Sequence, residues 1–339
     1  MSRPVSIKRR AATLLLGLSI APFLPAGVAS ASPASGRPPT YPFAPFVNHG
    51  YLRPPVGPYS FPQIWYSPAP LNPTFPSNDP NQGVYRPIGN SGPGGYAEFV
   101  TYLTPSAGVS PVPVVWINQS YANLQIYAGT TQPGGIWPTQ GSVPSSLFPN
   151  LIGAFEGGFQ FSSSQGGFYQ NGRLGIALVP GAASIVQYQN GSLQIGSWDK
   201  EVSMSPSVVA VRQNLKLLVD NGQLTPLATY NPLVTWGYSL GEVLYTWRSG
   251  IGIDANGNLI WVGGPGLSPQ TLGQTLIQAG AIRGMQLDIN PDWVHFASFS
   301  WSNTAGISGQ NLLGNMIAPP GRFLQPFWRD FVAVFLKGS

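Results

Sequence analysis

Two acidic residues far apart in the chain, Glu156 and Asp288, have the residue types and surroundings that chemistry needs. Asp288 follows an apolar run, and Glu156 lies between an apolar run and a Gly157-Gly158 turn, where a charged side chain gains nothing from packing. Two facing carboxylates are the device of glycosidases, in which one protonates the leaving oxygen and the other activates water or attacks carbon. The alternatives are an Asp288 that caps a turn and a Glu156 that is exposed in one.

Topology should bring a cation to the same place as Asp288. Residues 247–254 and 258–262 alternate around an Asn-Gly turn, which predicts an antiparallel hairpin. A helix over residues 268–280 follows, with Ser-Pro at its start and glycine at its end. A strand-helix-strand crossover joins parallel strands, so Arg248 and Asp288 are expected at one edge of the sheet. Arg248 could bind an anionic substrate group or act as a structural partner of Asp288.

Three residues that follow Asp288 are candidates for substrate binding: Asn290, Trp293 and His295. A tryptophan can stack on a sugar ring, although single tryptophans pack more often in cores. A histidine can share a proton, although a packed and hydrogen-bonded histidine is the commoner case. The chain has 2 histidines and no cysteine. Their spacing gives no metal-ligand cluster, and we predict no metal and no cofactor.

Four motifs, taken in order, resemble those of the phosphodiester glycosidase family. They are residues 154–159, 217–222, 248–254 and 280–288. The resemblance covers roughly residues 95–310 and implies a carbohydrate or glycosyl-phosphate substrate. By position it carries over Arg248, Asp288 and the turn formed by Gly157 and Gly158.

Two of these motifs depart from the family pattern. Family members have Asn-Gly-Gly-Phe-Phe where this chain has Glu-Gly-Gly-Phe-Gln, and they follow the strand-end aspartate with Gly-Gly-Gly-Ser. In this chain Asp288 is followed by Ile289, Asn290 and Pro291. Glycines there would let backbone N–H groups close on a phosphate-like anion, whereas Ile289 obstructs and Pro291 removes such donors. The resemblance therefore carries over the site more directly than the phosphodiester substrate.

Residues 1–31 predict a secretory signal peptide, with a basic start, an apolar stretch and a small-residue cleavage site near Ala31. Of the 16 Lys and Arg residues, four precede this site, which leaves 12 against 11 Asp and Glu and predicts no nucleic-acid partner. No later apolar run is long enough to cross a bilayer, so we expect no integral membrane segment. Charged residues make up only 8% of the chain, a composition typical of secreted or cell-wall-associated proteins.

The remaining chain divides into an arm and a domain. Residues 32–93 are rich in proline and aromatic residues, which predicts an extended N-terminal arm packed against the domain. Residues 94–339 predict an α+β domain, mostly sheet with few helices, that includes the strand-helix-strand crossover. Ser205-Pro206 predicts the start of one further helix.

These patterns predict an exported hydrolase that cleaves a glycosidic or glycosyl-phosphodiester bond in a cell-surface or extracellular glycan. Asp288 and Glu156 would share the acid-base or nucleophilic roles, and Arg248 would bind an anionic or polar group. The alternative is a non-catalytic wall-glycan binding or structural protein on the same scaffold, which the altered segment after Asp288 supports. A separation of the two carboxylates above about 12 Å would exclude the paired mechanism. The oligomeric state is left open.

Overall fold

The structure, a computed structural model, describes residues 67–230, 235–237 and 239–337. The predicted signal peptide and most of the predicted arm lie outside the described residues. The described chain is mostly sheet with few helices, which confirms the predicted α+β class. No helix within it has the length and hydrophobicity of a membrane span.

Three sheets hold the named strands, and every pairing between these strands is antiparallel. The eight-stranded central sheet has the spatial order β1 (Arg86–Gly92), β2 (Gly95–Leu103), β3 (Val112–Ile117), β14 (Leu259–Leu267), β13 (Thr246–Asp254), β15 (Ala281–Ile289), β11 (Leu217–Asp220) and β12 (Gln223–Leu224). The second sheet has the order β7 (Arg173–Ile176), β6 (Phe168–Gln170), β10 (Val208–Gln213), β8 (Ala183–Tyr188) and β9 (Leu193–Ser197). The third has the order β17 (Gly306–Asn311), β16 (Phe296–Ser302), β5 (Leu151–Glu156), β18 (Phe331–Leu336) and β4 (Ala122–Tyr127).

The helices are few and mostly short. The described α-helices are α1 (Phe161–Ser164) and α2 (Pro269–Gln278), with 3-10 turns at Ser145–Asn150, Pro226–Ala228, Leu240–Glu242 and Pro320–Leu324. Helix α2 begins with a capping box, since the Ser268 hydroxyl accepts from the Thr271 amide at 3.1 Å and the Thr271 hydroxyl accepts from the Ser268 amide at 2.9 Å. It is followed by Gly280 at φ +99°. The helix predicted over residues 268–280 is confirmed.

The predicted crossover is also confirmed, with one strand inserted. Strands β14 and β15 both pair with β13 in antiparallel fashion, so they run parallel to each other on either side of it. Helix α2 connects them and packs on one face of the central sheet. Gly250 of β13 permits this contact, because a Cβ there would lie 2.8 Å from the Met285 carbonyl oxygen and 3.2 Å from a methyl carbon of Leu272.

The apolar core lies on both faces of the central sheet. On one face, side chains from all three sheets meet in a single cluster that includes Val115, Phe155, Ile185 and Leu287. On the other face, Leu272 and Leu276 of α2 pack against a second cluster. The central sheet is therefore buried on both sides, and polar groups at its ends must find their partners inside the protein.

The helix predicted after Ser205-Pro206 is wrong. Residues Val208–Gln213 form β10, which pairs with β6 on one side and β8 on the other. Ser205 and Pro206 instead form a turn, in which the Val208 amide donates to the Ser205 carbonyl at 3.0 Å. Three valines in this run favour a strand, and pairing on both sides outweighs the local helix-start signal.

The described part of the predicted arm contacts the rest of the fold. The Gly83 amide donates to the Tyr102 carbonyl at 3.1 Å, and the Gln278 side chain of α2 donates to the Asn72 carbonyl at 2.6 Å. Strand β1 also falls within the range assigned to the arm and forms an edge of the central sheet. Pro87 is compatible with this position, since an edge strand leaves one side of its backbone unpaired.

Candidate active site

Glu156 and Asp288 lie together, joined by a single hydroxyl. Glu156 ends β5 and Asp288 is the next-to-last residue of β15, and both are buried. The Ser249 hydroxyl donates to Glu156 Oε1 and accepts from the Asp288 backbone N–H at 3.2 Å. At ordinary hydrogen-bond lengths this bridge limits the distance between the two carboxylates to about 9 Å. That separation is below the roughly 12 Å that would exclude a paired mechanism.

A β-bulge directs Asp288 toward Glu156. Arg248 pairs with Ile289 and Gly250 pairs with Gln286, so two steps along β13 face three steps along β15. The extra residue interrupts the alternation of β15. Leu287 packs in the core between the sheets and Ile289 packs in the cluster of the opposite, α2 face, while Asp288 meets Ser249 on the side of Leu287. Without the bulge the Asp288 side chain would project toward α2.

Arg248 lies at the same sheet edge as Asp288 but on the opposite face. Its guanidinium is fully buried and donates to the carbonyls of Leu267, Trp236 and Leu244 and to Gln286 Oε1, at 2.9 to 3.3 Å. Burial lowers the pKa of Arg248 to about 10. The predicted pairing of Arg248 with Asp288 is not observed. Arg248 and Ser249 are neighbours on β13 and point to opposite faces, and Asp288 lies on the face of Ser249. Arg248 fixes the segment before β13 to the sheet.

Arg329, which immediately precedes Asp330 and β18, is the observed partner of Asp288. Its guanidinium donates to Asp288 Oδ2 and to the Gly158 carbonyl, while Asp288 Oδ1 accepts from the Ile289 amide at 2.8 Å. A second ion pair lies beside it, in which Arg212 Nε donates to Asp330 Oδ2 at 2.8 Å. All four of these charged side chains are buried.

The Gly157-Gly158 turn lets the ion pairs approach the backbone. A Cβ on Gly157 would lie 2.0 Å from Asp330 Oδ2, and the Gly157 amide donates to the Asp330 carbonyl at 3.1 Å. Gly158 has φ +133°, a conformation that other residues rarely adopt. These two glycines therefore serve the packing of Arg212, Arg329 and Asp330 around the end of β5.

A narrow crevice opens beside Glu156. It is lined by Glu156, Trp293, Arg322, Phe323, Phe327, Arg329 and Asp330, and it is narrower than a water molecule. The Arg329 guanidinium carbon lies 4.5 Å from the Trp293 ring centroid, and that of Arg322 lies 4.7 Å from the Phe327 ring centroid. Asp288 lies behind Arg329 rather than on the crevice wall.

Arg322 contributes a second guanidinium to this crevice. Its Nη1 donates to the Asp292 carbonyl at 3.3 Å, and its buried Nε has no partner among the described residues. Burial lowers the pKa of Arg322 to about 10, while the charge of Glu156 acts in the opposite direction. A guanidinium with unused donors beside a carboxylic acid can receive an anionic group.

The surroundings separate the two carboxylic acids in pKa. Burial raises the pKa of Glu156 to about 8, against the lowering effect of the hydrogen bonds from Ser249 and the His295 amide. Burial also raises the pKa of Asp288, to about 6, and Arg329 limits that rise. Near pH 7 Glu156 is therefore mainly protonated and Asp288 mainly ionised, the division of states that acid-base pairs use.

The other predicted substrate-binding residues have different positions. Trp293 is half-buried on the crevice wall and contacts Trp328 edge-to-face at 5.4 Å. Asn290 has φ +74° and forms the turn after β15. The His295 ring is buried, stacks on Phe323 and hydrogen-bonds Asn311 at 2.8 Å, and only its backbone amide reaches Glu156. Burial lowers the pKa of His295 to about 3, so the ring stays neutral.

The cluster also contains residues that the sequence patterns did not single out: Arg212, Asn214, Ser249, Arg322, Arg329 and Asp330. Two signals were available. Arg212 stands in an apolar strand, and the adjacent Arg329 and Asp330 interrupt an otherwise apolar tail, and charged residues in such runs are normally paired. Within the described residues, no group of three or more His, Cys, Asp or Glu side chains has a geometry that could hold a metal ion.

Comparison with known proteins gives distant likenesses. No family model matches the chain, and no curated protein sequence matches it. The catalytic domain of zebrafish N-acetylglucosamine-1-phosphodiester alpha-N-acetylglucosaminidase, auto-inhibited by its pro-peptide, is 12% identical with a TM-score of 0.44, over 81% of this chain and 97% of that one. A hypothetical protein from Synechocystis is 15% identical with a TM-score of 0.40, over 71% of this chain and 62% of that one.

A candidate exported protein from Burkholderia pseudomallei K96243 is 12% identical with a TM-score of 0.35, over 68% of this chain and 75% of that one. At these identities and TM-scores the comparisons assign neither a family nor an activity to the chain.

Proposed function

We propose that the protein is an exported hydrolase that cleaves a glycosidic or glycosyl-phosphodiester bond in a cell-surface or extracellular glycan. The observation that carries this proposal is the pair of buried carboxylic acids, Glu156 and Asp288, with pKa values of about 8 and about 6. The Ser249 hydroxyl contacts the Glu156 carboxyl and the Asp288 amide. Such a pair supplies a proton donor and an ionised carboxylate at the same pH. The residue types in the cluster support this chemistry without a cofactor.

In this proposal the two acids have different roles. Glu156 lines the crevice and is mainly protonated at pH 7, so it protonates the leaving oxygen. Asp288 is mainly ionised and either activates water or attacks carbon. Asp288 can reach the substrate only when Arg329 turns away from it, because Arg329 stands between Asp288 and the crevice.

An anionic group on the substrate accounts for the cations at the crevice. Arg322 Nε has no partner within the described part of the chain, and Arg329 could exchange Asp288 for a phosphate or carboxylate of the substrate. Guanidinium groups would thus replace backbone N–H donors, since the Ile289 amide already donates to Asp288 and Pro291 has no N–H. Trp293, which already stacks on Arg329, would form one wall for the sugar.

The test is hydrolysis of nitrophenyl glycosides, wall polysaccharides and sugar-1-phosphodiesters by the purified protein. Activity should fall as pH drops through about 6, where Asp288 is protonated, and as pH rises through about 8, where Glu156 ionises. Asp288→Asn and Glu156→Gln should each lower kcat by about 1,000-fold or more, on the order of 4 kcal/mol in activation free energy. Asp199→Asn is the matched control, since Asp199 is exposed and asparagine tolerates its φ of +62°.

Full activity in a folded Asp288→Asn protein would contradict the assignment. A protein that binds wall polysaccharide without hydrolysing any of these substrates would support the alternative, a non-catalytic wall-glycan binding protein. Two observations favour that alternative: the crevice is narrower than a water molecule, and both Asp288 oxygens are engaged, by Arg329 and by the Ile289 amide.

A further inference from the structure

Asn214 lies in space between the end of β5, which carries Glu156, and the end of β15, which carries Asp288. It directly follows β10 of the second sheet and precedes β11 of the central sheet, and it is fully buried. Its Nδ2 donates to the carbonyls of Gln286 at 2.8 Å and Leu287 at 2.9 Å. Its Oδ1 accepts from the Phe159 amide at 3.2 Å and from Arg212 Nη1 at 3.4 Å. These four hydrogen bonds are the full capacity of a primary amide.

These hydrogen bonds hold the backbone next to each acid. The Gln286 and Leu287 carbonyls belong to the bulge that directs Asp288, and the Phe159 amide belongs to the turn that follows Glu156. One side chain therefore ties the backbone on both sides of the carboxylate pair. Its orientation is fixed, because the amide nitrogen faces two carbonyl oxygens and the amide oxygen faces two N–H donors.

The backbone at this junction is held in an unusual conformation. Leu215 has φ +55°, a left-handed conformation that a bulky side chain rarely adopts. Its amide donates to the Ser164 carbonyl at 2.7 Å, and the amide of Asn214 donates to the Ala183 carbonyl at 2.9 Å. Conformations of this kind persist where the surrounding structure determines them, and they concentrate at functional sites.

We propose that Asn214 is the positioning residue that sets the separation and orientation of Glu156 and Asp288. The inference rests on the proposed function, in which these two acids act as a pair. Asn214 itself touches neither carboxylate, and it acts through the bulge at Gln286 and Leu287 and through the turn at Phe159.

Asn214→Asp and Asn214→Gln test this role in complementary ways. Aspartate places an oxygen against the two carbonyls of the bulge, and glutamine keeps all the polar atoms but is one methylene longer. Each should lower kcat by about 100-fold, the scale of a displacement of about 1 Å at a catalytic pair, while KM changes less than about threefold. Both limbs of the pH-rate profile should move, since the interaction between the two acids depends on their separation.

Asn118→Asp is the matched control. Asn118 is a buried asparagine just after β3, at the end of the central sheet remote from Ser249, where it accepts from the Ser120 amide at 2.9 Å. Its kcat and both pH limbs should equal those of the wild-type protein. If Asn214→Asp fails to fold, Asn214→Gln decides by the same measurements.

A second measurement separates this inference from the proposed function. The carboxyl carbons of Glu156 and Asp288 can be titrated by 13C NMR in the wild-type and variant proteins, with or without hydrolysis. The proposal expects both titrations to shift in the folded Asn214 variants and to stay unchanged in Asn118→Asp. Wild-type titrations and wild-type kcat in a folded but less stable Asn214 variant would overturn it and leave Asn214 as a purely structural residue. A wild-type protein that hydrolyses nothing would end the proposed function, and the titrations would still decide the positioning role.

Discussion

Arg248 and Ser249 are neighbours on one strand, both fully buried, and the two faces they point to differ in what their polar groups can do. On the α2 face, the Arg248 guanidinium donates to three carbonyls and to Gln286, and the whole arrangement is closed within the protein. On the other face, Ser249 joins two acids with raised pKa values, and Glu156 lines a crevice. Burial of a charged group therefore does not distinguish structure from function. The distinction lies in whether the network ends inside the protein or at an opening.

The largest expected loss of stability on a single substitution comes from Arg248, on the α2 face of the central sheet. Arg248→Met would remove the donor to the Gln286 amide oxygen and to the carbonyls of Leu244 and Leu267, so the free energy of unfolding should fall by about 3 kcal/mol. Activity per folded molecule should stay within about twofold of the wild-type value, because Arg248 holds the Gln286 side chain on the α2 face, whereas Asn214 holds the Gln286 and Leu287 carbonyls beside Asp288. Urea unfolding and kcat normalised to the folded fraction measure the two effects.

A loss of activity much larger than the loss of folded protein would show that Arg248 binds substrate. It would also remove the contrast between the two faces. A guanidinium in a substrate site would have donors left for a ligand, as Arg322 has.

A smaller loss of stability is expected at Ser249, on the face of the central sheet opposite α2. Ser249→Ala removes the hydroxyl that donates to Glu156, and the unfolding free energy should fall by about 1 to 2 kcal/mol. Since that hydrogen bond lowers the pKa of Glu156, its loss should raise this pKa, and the alkaline limb of the pH-rate profile should move to higher pH. The matched comparison is Arg248→Met, in which the alkaline limb should not move. An unmoved limb in Ser249→Ala would show that the bridge does not control Glu156.

Much of the frame around this site follows from local patterns. The Ser268-Pro269 helix start and the Asn256-Gly257 turn placed α2 and the β13–β14 hairpin correctly, because each signal consists of two adjacent residues. The crossover then placed Arg248 and Asp288 at one sheet edge. These steps need only local geometry and the rule for parallel strands.

The face of the central sheet to which each charged side chain points could not be predicted in the same way. The bulge in β15 is a difference in register between β13 and β15, whose paired residues at the bulge are more than thirty positions apart. No sequence pattern within β15 predicts it. The same is true of Arg329, whose pairing with Asp288 depends on how the third sheet packs against the central one. Long-range register and sheet packing decided which charged residues meet.

Glu98 has the smallest expected effect on catalysis and extends the comparison to a third buried acid. It lies on β2 against Gly153 of β5, three residues before Glu156 on that strand, and a Cβ on Gly153 would lie 2.2 Å from Glu98 Oε1. Neither Glu98 oxygen has a partner among the described residues, and burial raises its pKa well above the ordinary value of 4.5. Within the described chain, Glu98 is therefore fully buried without a hydrogen-bond partner, whereas Glu156 has hydrogen-bond partners and lines the crevice.

The sign of the pH dependence follows from that raised pKa. A carboxyl that is easier to protonate in the folded state stabilises the fold below about pH 4.5, and this contribution is lost as pH rises toward its folded pKa. Glu98→Gln removes this titrating carboxyl. The unfolding free energy should then fall less steeply between pH 5 and 8 than in the wild-type protein, by at most about 1.4 kcal/mol per pH unit. Urea unfolding at several pH values measures this slope, and kcat should stay unchanged. Parallel stability curves for variant and wild type would mean that Glu98 has partners that stabilise its charged form, and the contrast with Glu156 would fail.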